Sequence, residues 1–178
     1  MLLSIKLKKF IALTLMLLLS ACSNNSTGTS NTGDNVNLDN VDSSATTTDS
    51  YDYLNQLRNN AGMISLDKNE KLEQSATNHA NYLITNNLVG HEETSGNTGF
   101  TGKTAANRAV AAGYNSYIVG EGIATGESAK QAIDSLFSAI YHRFTLLDFE
   151  YDEIGMALLN KDVDKNIFVH NIGNEELD

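Results

Sequence analysis

The 178-residue chain has no proline and no tryptophan, and its only cysteine is Cys22. Without proline there is no cis-proline turn, so turns must be shaped by Gly, Asn, Asp and Ser. A lone cysteine excludes an intramolecular disulfide, a cysteine-based zinc site and a thiol nucleophile in the folded part of the chain. Positive charge is also scarce. There are 12 basic residues against 22 acidic ones, for a net charge of −10, and Lys6, Lys8 and Lys9 lie in the first ten residues. So acidic a chain repels phosphate backbones, which excludes nucleic acid as a partner; otherwise the charge serves solubility. Hydrophobic content is 41%, a little below the usual globular share, and the length suits one domain with a tail.

The first fifty residues read as address and tether. The basic start leads into an apolar run, Phe10 to Leu19, too short to span a bilayer comfortably and suited to a signal-peptide core. Leu19-Ser20-Ala21-Cys22 at its end resembles a bacterial lipobox. The resemblance implies cleavage before Cys22 and lipid on its sulfur and on the new amino terminus, the alternative being an ordinary signal peptide with an incidental cysteine. More than one acyl chain anchors stably where one does not. Ser23 after the cysteine is compatible with outer-membrane sorting, so the expected location is a lipid-anchored place at the outer membrane or cell surface. Ser23 to Ser50 is Ser-, Thr-, Asn- and Gly-rich with no apolar period, which predicts a disordered tether with ends roughly 30 Å apart. The expected organisation is a signal peptide over 1–21, lipidated cysteine and linker over 22–50, and a folded domain over 51–178.

Within the domain, Tyr51, Leu54 and Leu57 repeat at helical spacing, with Asp49 or Ser50 as cap and Gly62 as stop. Met63 to Leu66 is an apolar connector. Asp67 with Glu70 reads as a capping box for a long helix carrying Leu72, Ala76, Ala80, Leu83, Ile84 and Leu88 on one face, ending near Asn86-Asn87. Glu92 to Lys103 is loop. Its Gly102-Lys103-Thr104 invites a phosphate-loop reading that fails, because Asn97 stands where the motif needs glycine. Thr104 caps a short helix, Ala105 to Ala112, stopped by Gly113. Tyr114 to Val119 is a candidate strand. Ser128 and Gln131 cap a helix with Ala132, Ile133, Leu136, Phe137 and Ile140 inward and His142 at its end. Ile154 to Leu159 and Ile167 to Ile172 are two strands. Asp162, Asp164 and Asn166 between them imitate a calcium loop, but Ile167 and Gly173 stand where that loop needs Gly and Glu, so a hairpin turn is the better account. The pattern predicts an α/β fold, a layered α-β-α sandwich.

Three stretches place titratable groups beside glycines or at a helix end: Gly90-His91-Glu92-Glu93, Gly120-Glu121-Gly122 and Tyr141-His142-Arg143. If they converge, two imidazoles and a carboxylate can hold a divalent metal, shuttle a proton or tie loops together. Two histidines and one carboxylate suffice for an open zinc site completed by water, with His91, His142 and Glu121 as ligands. Arg143 is expected to pair with a carboxylate and fix its helix end. His79 reads as packed rather than functional, and His170 as structural or exposed.

Leu54-Asn55-Gln56-Leu57-Arg58 with Gly62 and Leu66, Gly90-His91-Glu92, Gly99 to Thr104, Arg108-Ala109, Ala112-Gly113-Tyr114, Gly120-Glu121, Ala139 to Arg143 and Glu153-Ile154-Gly155 together resemble the CAP superfamily (cysteine-rich secretory proteins, antigen 5, pathogenesis-related 1), in its bacterial branch. The resemblance runs from about Tyr51 to Gly173. It implies an α-β-α sandwich with a central cleft carrying two histidines and two acidic residues, where some members bind zinc or another divalent ion. His91, Glu121 and His142 match three of the four; Ala139 stands near the fourth, and Glu92 or Glu93 is left to lend a carboxylate. The implied function is a lipid-anchored envelope binding module for a small lipid, glycan or protein ligand in a cleft of His91, Glu121, His142, Glu92 and Arg143. The alternative is a metal-dependent hydrolase using His91, Glu121 and His142.

Overall fold

A computed structural model describes residues 47–162 and 165–176. The signal peptide, Cys22 and the tether as far as residue 46 lie outside the described residues, as do residues 163–164 of the expected hairpin turn. Among the described residues no helix is long and apolar enough to cross a membrane.

A four-stranded sheet forms the middle layer. Its strands are β1 (Asp67–Lys68), β2 (Val119–Gly126), β3 (Glu153–Asp162) and β4 (Lys165–Gly173), in the order β1-β3-β4-β2. β1 runs parallel to β3; β4 is antiparallel to both β3 and β2. The helices α2 (Glu70–Thr85) and α3 (Ala105–Ala111) cover one face; α1 (Thr47–Asn60), α4 (Ala129–Ser138) and α5 (Ile140–Leu146) cover the other. Side chains alternate across the sheet. Ala157, Ile167 and Val169 pack under α2, while Ile154, Met156, Phe168 and Ile172 pack under the opposite helices. This is the expected three-layer sandwich.

The helix α1 begins at Thr47 and buries Ser50, so Asp49 and Ser50 lie inside it and do not cap it, and the linker ends short of residue 50. Its stop is as read: Gly62 takes φ +80°, and Met63 N–H donates back to the Arg58 carbonyl at 2.9 Å. The buried Arg58 donates from Nη1 to the Leu146 carbonyl at 2.5 Å, at the end of α5, and from Nε to the Ile64 carbonyl at 2.9 Å, in the connector after α1.

Asp67 does not cap α2, because it pairs with Glu153 in β1. Asn69 caps instead, its Oδ1 accepting from Lys71 N at 3.0 Å and Leu72 N at 3.2 Å. The predicted stripe of α2 is buried at Leu72, Ala76, Ala80 and Leu83, while Leu88 lies past the helix and is exposed. α2 sits directly on β3 at Gly155: a Cβ there would stand 1.9 Å from Glu73 N. Thr104 and Asn107 form a reciprocal capping box for α3, which stops before Gly113 at φ +95°.

Two expectations are corrected. The strand expected over Tyr114 to Val119 begins only at Val119, because Tyr114 is buried in a loop and its hydroxyl donates to Glu153 Oε2 at 2.8 Å. The helix expected to run through Ile140 breaks at Ala139, whose ψ of 118° leaves the helical region. Ile140 therefore opens α5 as a surface residue, and His142 rides on a separate short helix. The Ser128 cap holds, but Gln131 Oε1 takes the amide of Glu127, not that of Ser128.

Candidate functional site: an imidazole pair over an edge strand

Glu121 lies on the edge strand β2, opposite Asn171 of β4 and on the α2 face of the sheet. Its side chain is only 3% exposed, and both oxygens are engaged. Oε1 accepts from His91 Nδ1 at 2.9 Å; Oε2 accepts from Arg108 Nη2 at 2.5 Å. In the amide orientation that satisfies its neighbours, Asn171 also donates to Oε2 at 3.1 Å. Burial alone would raise the Glu121 pKa, but the hydrogen bond from His91 and the charge of Arg108 outweigh it and hold it below the usual carboxylate value. In return, the bond to Glu121 raises the His91 pKa above 6.5, against a smaller opposing effect of burial.

Beneath this pair lies a buried network. Arg108, carried by α3, donates from Nη1 to the carbonyls of His91 at 3.0 Å and Lys103 at 3.2 Å, which pins the loop that presents His91. Glu93 accepts from Thr101 N at 2.7 Å and Gly102 N at 3.3 Å, while its Oε1 faces His79 Nδ1 at 2.9 Å. The Nε2 of His79 faces the Gly90 carbonyl at 3.0 Å. The two turns flanking His91 are thereby tied to one buried core of charge, which limits how far the imidazole can move.

His142 reaches the same place from the other face of the sheet. Its ring centroid is 6.4 Å from that of His91, with 29° between the planes. His91 is 55% exposed, so the two rings form an accessible pair over the β2 edge. α5 and the loop after it also carry the exposed apolar side chains Ile140, Tyr141, Phe144 and Phe149; Ile140 and Phe144, two residues either side of His142, lie round the helix from it.

The sequence-predicted residues divide accordingly. His91, Glu121 and His142 come together. Glu92 does not join them: it is exposed and faces Lys103 Nζ at 3.6 Å. Arg143 is exposed and forms no ion pair among the described residues, so it does not lock the helix end as expected. His79 is packed as expected, and sequence reasoning gave no role to Arg108 or to the tie between His79 and Glu93. A buried position for Arg108 between Ala105, Ala106 and Ala109 has no distinctive sequence signal; the adjacent Glu92 and Glu93 differ only in which one turns inward.

His170 lies on the α5 face, packed against Gly122, where a Cβ would approach its Cε1 to 2.1 Å. It is fully buried, and neither ring nitrogen has a hydrogen-bond partner among the described residues. Burial pushes its pKa down to about 4. A separate cavity of about 250 Å³, lined by Asp67, Asp152, Glu153, Asn174, Glu175 and Glu176, includes none of the predicted site residues.

The donor set falls short of a zinc centre. Among the described residues no group of three or more His, Cys, Asp or Glu is placed to hold a metal ion. Glu121 spends its oxygens on His91 and Arg108, and Ala139 offers no carboxylate. Two imidazoles remain, one donor fewer than the three protein ligands of an open zinc site.

The model of the cysteine-rich secretory protein (CAP) family matches residues 51–172. Among solved structures, an outer surface protein of Borrelia burgdorferi is similar, with a TM-score of 0.64 and 21% identity over 75% of this chain and 96% of that one. So is an extracellular SCP-domain protein of Bacillus anthracis, with a TM-score of 0.63 and 18% identity over 71% of this chain and 39% of that one. No curated protein matches the chain.

Proposed function

The chain belongs to the CAP family of cysteine-rich secretory proteins, and from that premise we propose that it is a binding module of the bacterial envelope, held to the membrane by lipid on Cys22. The observation that carries the binding role is the accessible His91–His142 pair, held on a buried, cross-linked base. An accessible polar pair on a buried, cross-linked base suits a ligand that brings a polar group to the two rings. The surface location draws support from the Borrelia relative, described as an outer surface protein, and from the extracellular Bacillus relative. The hydrolase alternative needs a third metal donor and a general base beside the imidazoles, and Glu121, paired with Arg108, is placed to serve as neither.

Mass spectrometry of small molecules released from the purified full-length protein tests this reading. A lipid, glycan or peptide component is expected from the wild type and not from the His91→Ala/His142→Ala variant. An equal yield from both, or none from either together with no saturable binding of lipid or glycan, counts against it.

A further inference from the structure

We infer that the outward face of α5, formed by Ile140, Tyr141 and Phe144 with Arg143 at its border, docks on the surface of the lipid bilayer that carries the anchor. This rests on the lipid-anchor reading above and adds to it the side of the domain that meets the bilayer.

The break at Ala139 makes this face. In one continuous helix Ile140 would follow Leu136 and Phe137 inward; the ψ of 118° at Ala139 instead starts a new helix with Ile140 at its head. At about 100° per residue, Ile140, Phe144 and Tyr141 share an arc of about 100°, and Leu146, the buried residue of α5, lies on the opposite side. The three are 52%, 63% and 81% exposed. The apolar stripe of α5 thus points away from the core, the reverse of the usual order in a globular helix.

Charge is sorted in the same direction. The chain has 22 acidic residues, yet none lies between Ser135 and Leu147. Arg143 is exposed, is in no ion pair among the described residues, and borders the stripe on the Ile140 side. The flanking Asp134 of α4 is held by Lys130 Nζ at 2.8 Å and by the Tyr53 hydroxyl. An anionic surface repels the acidic remainder over about 8 Å at physiological salt. It therefore favours approach by α5, where the Arg143 guanidinium can reach lipid phosphates while its stem lies along apolar side chains.

Three features select a bilayer as the occupant. The stripe is convex, on the outside of a seven-residue helix, whereas small-molecule sites are concave. Its three side chains offer on the order of 400 Å², about half of what each partner brings to a standard protein interface. Cys22 stands about 25 residues before Thr47, where α1 begins, and a polar coil of that length reaches roughly 25–30 Å. Lipid on Cys22 holds the domain beside the bilayer. A contact too weak to capture a free protein then becomes intramolecular, at an effective concentration on the order of mM. Phenylalanine and tyrosine rings with an arginine suit the headgroup boundary, where an interfacial helix lies in the plane of the surface.

The chain has no tryptophan, so Tyr141→Trp places a single indole on the stripe of the full-length lipidated protein. Gln74→Trp is the control, exposed on α2 across the sheet. Both are reconstituted into vesicles of phosphatidylethanolamine and phosphatidylglycerol with brominated acyl chains, and palmitate label is read on each. The indole of Tyr141→Trp is expected to emit at shorter wavelength and to be quenched; that of Gln74→Trp is expected to do neither. In the Tyr141→Trp background, Ile140→Ser/Phe144→Ser should lower the docked-to-free ratio roughly 10-fold or more. Arg143→Gln should lower it about 5-fold on these vesicles and leave it unchanged on phosphatidylcholine. Palmitate-labelled protein with quenching no greater than in Gln74→Trp, or quenching that survives Ile140→Ser/Phe144→Ser, overturns the docking and leaves the anchor and the cleft reading standing. An unquenched shift that grows with protein density also overturns it and identifies a second copy as the occupant. Absence of palmitate from the wild type overturns anchor and docking together.

Discussion

Two buried side chains near the imidazole pair stand in opposite electrostatic situations. Glu121 is ionised and fully partnered, and removing its charge leaves the buried Arg108 guanidinium with only the more distant Glu93, 3.7 Å from its Nε, as counterion. Glu121→Gln is expected to cost roughly 3–5 kcal/mol, read as a lowered urea midpoint, and to lower the His91 pKa in an NMR titration, since its main support is gone. A midpoint equal to wild type would show that the ion pair is not formed in solution. His170 is neutral and has no hydrogen-bond partner among the described residues. Its pKa is pushed from 6.5 to about 4 by burial, so below pH 6.5 the unfolded chain binds a proton that the folded chain refuses. The stability contributed by neutral burial is therefore complete above pH 6.5 and lost as pH falls toward 4, about 3 kcal/mol in all. His170→Leu should remove this slope and raise the thermal midpoint at pH 5 more than at pH 7.5; parallel losses in both proteins would refute it.

At the scale of elements, contacts between backbones differ from contacts through side chains. The Cβ of Gly155→Ala would fall 1.9 Å from the amide nitrogen of Glu73, so α2 as a whole must lift from β3. A loss of about 3 kcal/mol or more is expected in chemical denaturation, at the upper end for overpacking. Asn69→Ala removes one cap from the same helix and should cost only about 1 kcal/mol. If the two variants lose equal stability, the helix and strand are less closely seated than the structure shows. The break at Ala139 matters in the same way: it turns His142 on α5 independently of α4, and a continuous helix would carry that ring in a different direction.

For the whole molecule, the titrating groups set a window. The raised pKa of His91 contributes stability that is present below pH 6.5 and lost as pH rises above it. The lowered pKa of Glu121 contributes stability that is present above pH 4.5 and lost as pH falls below it. With His170 losing its contribution between 6.5 and 4, the thermal midpoint should peak near neutrality and fall faster on the acid side. A maximum below pH 5 would contradict these assignments. At the same scale, the anchoring reading predicts that Cys22→Ser loses metabolic palmitate label and moves from the detergent phase to the aqueous phase. Unchanged partitioning would remove the lipid anchor from the account.

The sequence by itself determined what depends on local chemistry: the α2 stripe from Leu72 to Leu83, the Thr104 and Ser128 caps, the stops at Gly62 and Gly113, the hairpin strands and the layered α/β class. These follow from propensity and periodicity, which are read over a few neighbouring residues. Its ordered family motifs also marked His91, Glu121 and His142, but not how they meet. Only the tertiary structure decided that Glu93 turns inward while Glu92 faces solvent, that Arg108 neutralises Glu121, that Asp67 is drawn into β1 and hands its cap to Asn69, and that His170 is buried bare against Gly122. Each of those outcomes depends on a partner 8 to 86 residues away in the chain. Folding brings such a partner close through burial and pairing across layers, and no local pattern encodes it.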